Sequence, residues 1–542
     1  MVYYKLMAVF VFLPLTMLFY KIIPAKYRWI VLLISSLGFY STFSIKKLIF
    51  PFAAALITYA GGLWLARLES QAEIAVKNAA LPEGADPSDA KALRKEKAAI
   101  RESFRKKSRG VLTLGILLLV SFLLYLKYTN FFLENLNSIL QRSGSATQFP
   151  LKELLLPLGV SFYTMQAIGY LVDVYWKKIP AQKNPFKLLL FLLFFPTIIE
   201  GPIAAYADIN SSLYAGSDMD AEQVMKGFLR IGWGVMKKLV IADRLFPAAS
   251  VLYEMERDPH GAEVVAAAVL FTVMEYLDFS GCIDMALGYA GIFGIRLPEN
   301  FKRPFLAKNA SEFWRRWHIS LGVWFKTYIF YPMSMSGLAK KWGKFAKGKC
   351  GPHLTKMVAS AMALLPVWLC NGLWHGPKWT YIFYGIFYFV VIMLELIFEP
   401  AGDKILDALH LKKDNRFVTI LRVLRTWFVI FLGELFFQAR SLKAAFIMLS
   451  NVPRDFHIRL IWDGEALHWG LDKADWLIVG VGFLCVIIVN ILREKGRDVL
   501  QELVDCPLVL RWALASVLIF AILMLGLYGP GYTEVDMIYA GF

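Results

Sequence analysis

Long apolar runs recur along almost the whole chain, and nothing else in the sequence restricts its fold so strongly. They lie near residues 6–20, 29–43, 48–66, 111–133, 154–176, 188–205, 226–247, 262–279, 281–295, 357–371, 378–398, 425–439, 474–492 and 508–528. A soluble core has no means of hiding so many. Helices that satisfy their own backbone groups in lipid do, which predicts an all-α polytopic membrane protein. An upright crossing needs about 20 apolar residues, and several runs are shorter or broken by Gly and Pro. Some are therefore expected to be re-entrant, leaving roughly 11–14 crossings. Composition agrees: 58% of the 542 residues are hydrophobic and 19% charged, against about a quarter charged in soluble chains. No internal repeat and no second domain is evident, so residues 1–542 read as one membrane body. The apolar N-terminus runs into Pro24 with no small-residue cleavage site, and reads as a first crossing rather than a removed signal.

Lys and Arg total 59 against 42 Asp and Glu. The excess gathers in loops between apolar runs, as on a cytoplasmic face opposite anionic lipid, and no basic stretch forms a separate nucleic-acid-binding domain. Residues 67–110 form a long basic loop, with a surface helix after Pro87-Ser88-Asp89. Lys177–Lys187, Lys340–Lys349, Lys412–Arg416 and Arg493–Arg497 mark further cytoplasmic loops. The acidic stretch Asp208–Glu222 suits the outside, and both termini fall outside too, with Lys46 and Lys47 against the rule. The setting is a multi-pass cell membrane. Cys282, Cys350, Cys370, Cys485 and Cys506 are scattered, so neither a zinc site nor a disulfide framework is indicated.

Chemistry concentrates between Ser311 and Trp379. Asn309-Ala310-Ser311-Glu312 resembles a capping box, and the helix it opens carries Trp314, Trp317, Leu321, Trp324 and Tyr328 at three- and four-residue spacing. His318 lies beside this stripe. Lys302, Arg303, Lys308, Arg315 and Arg316 precede an apolar run that returns to the Lys340 loop, so Leu321–Met335 reads as re-entrant with His318 near an inner mouth. Trp314, Trp317 and the arginines would equally suit an interfacial belt, which has no need of imidazole. His375 sits between two apolar arms in Asn371-Gly372-Leu373-Trp374-His375-Gly376-Pro377. The first arm looks too short to reach the outer surface, which predicts a sunken turn lining a cavity. An imidazole with an ordinary pKa near 6.5 is neutral enough to take a hydroxyl proton as general base. Arg315, Arg316 and Lys302 would attract an anionic donor such as a phosphate-bearing coenzyme.

Gly-x-Ser-x-Gly, Walker and His-Glu-x-x-His signatures are missing, so hydrolase, ATPase and zincin readings lack their parts. Glu200, Asp278, Asp284, Glu395 and Glu434 lie in or near apolar segments. They read either as a transporter's polar chain or as interhelical contacts.

Phe313-Trp314-Arg315-Arg316-Trp317-His318-Ile319-Ser320-Leu321 and Asn371-Gly372-Leu373-Trp374-His375-Gly376 together resemble the membrane-bound O-acyltransferase (MBOAT) family. The likeness is to its bacterial polysaccharide branch, which includes alginate and peptidoglycan O-acetyltransferases and the teichoic-acid D-alanyl transferase. Phe195-Pro196-Thr197 to Gly201-Pro202-Ile203 is similar to another pattern of that branch. The resemblance implies a ring of tilted helices around a central tunnel, His375 as catalytic histidine and His318 as the second tunnel histidine. Trp314, Arg315, Arg316, Trp317, Asn371 and Trp374 are the expected substrate contacts.

The C-terminal tail, 529–542, is similar to a phenylalanine-x-tyrosine-x-x-phenylalanine signature of the branch, with Met537 in place of the first aromatic. By this resemblance Tyr539 carries the acyl group outside the membrane. No bound cofactor is expected. The implied donor is an acyl-CoA-type thioester, with acetyl-CoA favoured. The implied partner is an extracytoplasmic transferase with a serine nucleophile, working toward a cell-surface polysaccharide. D-Alanyl transfer to teichoic acid, a lipid or peptide acceptor, and a transporter or flippase without covalent chemistry are the alternatives.

Overall fold

The computed structural model describes all residues except 1, 6, 80–86, 155, 255–258, 530, 531, 533, 534, 536 and 538–542. Helices form the whole framework, and no strand occurs among the described residues. The first half contains α1 (Leu13–Ile22), α2 (Arg28–Ser41), α3 (Ile49–Asn78), α4 (Pro87–Leu123), α5 (Thr129–Arg142), α6 (Val160–Tyr175), α7 (Pro185–Leu193), α8 (Tyr206–Ala215), α9 (Ala221–Val235), α10 (Asp243–Val251) and α11 (Gly261–Ile292). Then come the short α12 (Ala310–Arg316), α13 (Ile319–Phe325), α14 (Tyr331–Ser334) and α15 (Gly337–Ala346). Next are α16 (Pro352–His375), α17 (Trp379–Ala408), α18 (Arg416–Gln438), α19 (Leu442–Arg454), α20 (Lys473–Glu494), α21 (Val499–Asp505) and α22 (Leu508–Leu525).

Among the described residues, seven helices are long and apolar enough to cross a membrane: 46–78, 91–142, 261–292, 352–375, 379–408, 473–494 and 508–525. Apart from α18, an unbroken helix of 23 residues with several charges, the other apolar runs fold into shorter or bent pieces, so the eleven to fourteen crossings expected from the sequence include segments that do not span alone. Two runs, 262–279 and 281–295, are a single helix. Gly281 does not break it, because α11 meets α9 there at backbone contact: a Cβ on Gly281 would stand 2.8 Å from the Gly234 carbonyl oxygen. At 1.5 Å per residue α11 is about 48 Å long, enough to join both faces. At one end, the Gly261 N–H donates to the Asp455 carbonyl at 2.7 Å. At the other lie Arg230, Glu299, Arg303 and Arg493, the basic end of the molecule.

The long loop 67–110 is mostly helix: α3 continues to Asn78, and the surface helix after Pro87 runs without interruption into the next apolar segment. The acidic stretch Asp208–Glu222 does not lie opposite the basic loops. Its Asp218 pairs with Arg28 at 2.6 Å, and Glu222 accepts from Gln501 Nε2 at 3.3 Å, at the basic end. The reason is that α7 has only nine residues and returns. Tyr214 Oη donates to the Lys187 carbonyl at 2.7 Å, so no crossing separates Lys187 from Asp208. Lys46 and Lys47 do lie away from that end, and Lys47 is held there by the Leu156 carbonyl at 2.9 Å.

Ion pairs across the body account for Asp243, Asp278 and Asp284 among the buried acids. Lys238 is fully buried between Asp243 (2.7 Å) and Asp278 (2.5 Å), and neighbouring Lys237 pairs with Asp284 at 2.7 Å. Glu395 accepts the Ala310 N–H at 2.9 Å, capping α12 from outside. These are interhelical contacts. The five cysteines are free thiols.

Candidate active site

Of the seven histidines, only His318 and His375 are buried, at 3% and 4% exposure. They come from different elements and meet at one side chain. The Trp374 ring lies 5.4 Å from the His318 ring and 5.0 Å from the His375 ring, centroid to centroid. Beyond His318 stands Phe279 at 4.8 Å. Beyond His375 stand Phe437 at 5.0 Å and Tyr384 at 5.8 Å.

His318 is aimed by a break that the sequence pattern did not disclose. The aromatic stripe from Trp314 to Tyr328 is not on one helix: α12 stops at Arg316, Trp317 is extended, and His318 takes a left-handed φ of 44° before α13. Asn300 holds this conformation. Its Oδ1 accepts from the Ser320 N–H and Ser320 Oγ, both at 2.9 Å, and sits 3.3 Å from His318 Nδ1, while its carbonyl accepts the Ile319 N–H at 3.0 Å. A non-glycine residue at positive φ persists only where its surroundings over-determine it, and here one amide does so. The expected outcome for Asn300→Ala is about 1–3 kcal/mol lost, because buried Ser320 donors are left without an acceptor. Acyl transfer should fall with it, measured as melting temperature in detergent alongside turnover.

Ser320 also reaches the third motif, since the Ile203 N–H donates to its Oγ at 3.0 Å. The segment Phe195–Ile203 is irregular and almost wholly buried, with Tyr3 Oη donating to the Phe195 carbonyl at 2.8 Å. Irregular backbone at this depth is tolerated because protein surrounds it. Glu200 is fully buried in this turn.

His375 is the last residue of α16, which is 24 residues long and not the short arm the sequence suggested. The helix breaks only at Gly376-Pro377. Gly372 is no part of the break: it lets α17 approach so closely that a Cβ would stand 2.3 Å from the Tyr381 carbonyl oxygen, and Gly385 makes the reciprocal contact with the Trp368 carbonyl at 2.2 Å. This close crossing, rather than a short arm, sinks His375 among aromatic rings. On its far side a π-helical turn, Leu124–Tyr128, brings Lys127 Nζ to the Trp374 carbonyl at 2.8 Å and Tyr128 Oη to the Leu373 carbonyl. The last turn of α16 is thereby pinned by its own carbonyls.

The other expected contacts divide. Asn371 is buried one turn before His375. Trp314 lies one ring further out, packed on Tyr388 at 4.8 Å and Trp368 at 5.1 Å. Trp317 belongs to the core, stacked on Phe313 at 5.4 Å. Arg316 pairs with Glu312 at 2.8 Å and Glu494 at 3.2 Å, while Arg315 is exposed at the basic end. Tyr539 lies outside the described residues. The tail leading to it tucks into the body: Val535 carbonyl accepts from Lys238 Nζ at 3.2 Å and Tyr4 Oη at 3.3 Å, and Met537 is buried.

Two features had no signal in the sequence. One is Asn300, which stands among ordinary loop residues. The other is Glu275, buried beside Glu434, which accepts from Tyr384 Oη at 2.9 Å behind His375. A cavity of 480 Å³ opens at the basic end, lined by Arg230, Lys237, Lys302, Arg303, Arg493 and Arg497 along with Asp284, Glu299 and Asp498. Its wall residue Phe301 packs on Phe279 at 5.1 Å, and Phe279 packs on His318.

The all-helical membrane body thus holds two imidazoles on either side of one tryptophan, away from bulk water. Residues 180–346 match the model of the membrane-bound O-acyltransferase family, MBOAT. It is 29% identical over 448 residues to the probable alginate O-acetylase AlgI of Azotobacter vinelandii, covering 83% of this chain and 77% of that protein. It is 30% identical over 367 residues to the peptidoglycan O-acetyltransferase of Helicobacter pylori, covering 63% and 64% of the two chains. The teichoic acid D-alanyltransferase of Bacillus subtilis is 28% identical over 295 residues, 54% of this chain and 71% of that one.

Proposed function

We propose that the protein takes an acetyl group from a cytoplasmic thioester, passes it across the inner membrane of a bacterium, and supplies it for O-acetylation of a cell-surface polysaccharide. The observation that carries this reading is the buried pair His318 and His375 on either side of Trp374, with ring contacts leading back from His318 to the basic-lined cavity. The names of the relatives point the same way, to alginate, peptidoglycan and teichoic acid.

In this mechanism the phosphates of an acetyl-CoA-type donor bind at the cavity mouth, where cationic side chains outnumber acidic ones. His375 accepts the proton of the attacking hydroxyl as the oxygen bonds to the thioester carbonyl carbon. The C–S bond then breaks, and the imidazolium returns its proton to the departing sulfur, leaving free thiol and an ester. His318 orients the thioester on the cytoplasmic side of Trp374. The attacking hydroxyl is that of Tyr539, which hands the acyl group to an extracytoplasmic partner with a serine nucleophile. Both termini then face outward.

Intact-mass analysis of the C-terminal peptide tests this reading. Purified protein incubated with acetyl-CoA is expected to gain one acetyl group on Tyr539, and Tyr539→Phe to gain none. Labelling with D-alanine but not acetate would reassign the acyl group. Ester formation on an added acceptor with Tyr539 unmodified would remove the carrier step.

A further inference from the structure

Four of the seven histidines form two close pairs, and the chemistry above uses only one. The second pair, His260 and His457, stands at the end of α11 opposite the basic cavity, with ring centroids 4.5 Å apart. Asp455 lies between them. Its Oδ2 is 2.5 Å from His260 Nδ1, and its Oδ1 faces His457 Nδ1. One donor atom from each of the three residues lies within 4.8 Å of the other two. The residues are brought together from 197 positions apart in sequence, so no local ligand spacing announces them.

The backbone beneath them is fixed. Gly261 N–H donates to the Asp455 carbonyl at 2.7 Å, and Ala262 N–H to the Phe456 carbonyl at 2.8 Å. Asn451 Nδ2 donates to the Pro259 carbonyl at 2.9 Å, and Glu263 Oε2 accepts the His260 N–H at 3.0 Å. His457 takes a left-handed φ of 42° to bring its ring onto the same carboxylate. A non-glycine residue in that region costs about 1–3 kcal/mol and marks a position held for a reason. The side chains of His260, Asp455 and His457 are 39%, 46% and 60% exposed, so an ion can reach them from water.

We propose that His260, Asp455 and His457 form a binding site for a divalent transition-metal ion of the zinc class. Two imidazole nitrogens and one carboxylate oxygen are a ligand set that Zn²⁺ takes at about 2.0–2.2 Å, and three protein ligands leave a fourth position for water or a partner's side chain. Coordination replaces the contacts between each ring and the carboxylate. It ties the turn 455–457 to the head of α11, and metal binding there adds to the stability of the fold.

The test uses full-length protein in detergent, stripped with chelator, given ZnCl₂, desalted, and analysed for bound zinc and melting temperature. About one zinc per chain is expected, with a rise in melting temperature that a chelator reverses. Asp455→Asn and His457→Ala should each weaken zinc binding at least tenfold, while His468→Ala, at a histidine outside the cluster, leaves it unchanged. No bound zinc in the native chain overturns the proposal. So does equal zinc in the native chain and the His260→Ala/His457→Ala double variant, which would place the ion elsewhere on the surface. The readout is metal content, so it stands or falls independently of acyl transfer.

Discussion

His375→Ala is expected to abolish acyl transfer while the protein still inserts and runs as a single species on gel filtration. A positioned general base contributes about 10²–10⁴-fold to rate. The loss should appear in turnover rather than in donor affinity, because the basic-lined cavity lies on the far side of His318 and keeps its cations. His318→Ala should act differently, raising the donor concentration needed for half-maximal rate together with its effect on turnover. Single-turnover measurements with labelled acetyl-CoA would separate the two. Near-normal surface acylation by the His375 variant would sink the mechanism.

The second large effect is on stability. Lys238 is fully buried and pairs with both Asp243 and Asp278. Removing one member of a buried ion cluster strands the others, at a cost of about 3–5 kcal/mol. Lys238→Met leaves two carboxylates facing each other in the body and releases the Val535 carbonyl from its Nζ. The expected result is a sharply lower melting temperature in detergent and poor recovery from the membrane. Changing the acids as well, as Lys238→Met/Asp243→Asn/Asp278→Asn, should recover part of the loss because no unpaired charge remains. No recovery in the triple variant would mean that packing, and not charge, sets the cost.

Much of the fold was legible in the sequence because apolar runs and basic loops are one-dimensional signals. The helical class and the short elements around Leu321–Met335 follow from them. What escaped depends on contacts between distant residues. The break at Trp317-His318 is imposed by Asn300, and nothing near His318 announces it. The approach of α16 to α17 uses Gly372 and Gly385, which as letters suggest flexibility but here mean absent side-chain volume. The face of Asp208–Glu222 was misjudged because charge counting assumes that each apolar run crosses, whereas α7 turns back. Trp317 and Arg316, expected as substrate contacts, stack on Phe313 and pair with Glu494, which their positions in the sequence do not announce.

The uneven burial of the spanning helices has a consequence for how this molecule sits among lipids. In α11, 72% of the most apolar stretch is covered by protein, against 11% for the corresponding part of α20 and none for α22. The outer helices feel the thickness of the bilayer, and they can tilt to match it at a cost of fractions of a kcal/mol per ångström. The strut that touches His318 through Phe279 is insulated from that adjustment. The spacing of the rings around His318 is thereby referenced to a protein interior, and it should hold in membranes of different composition.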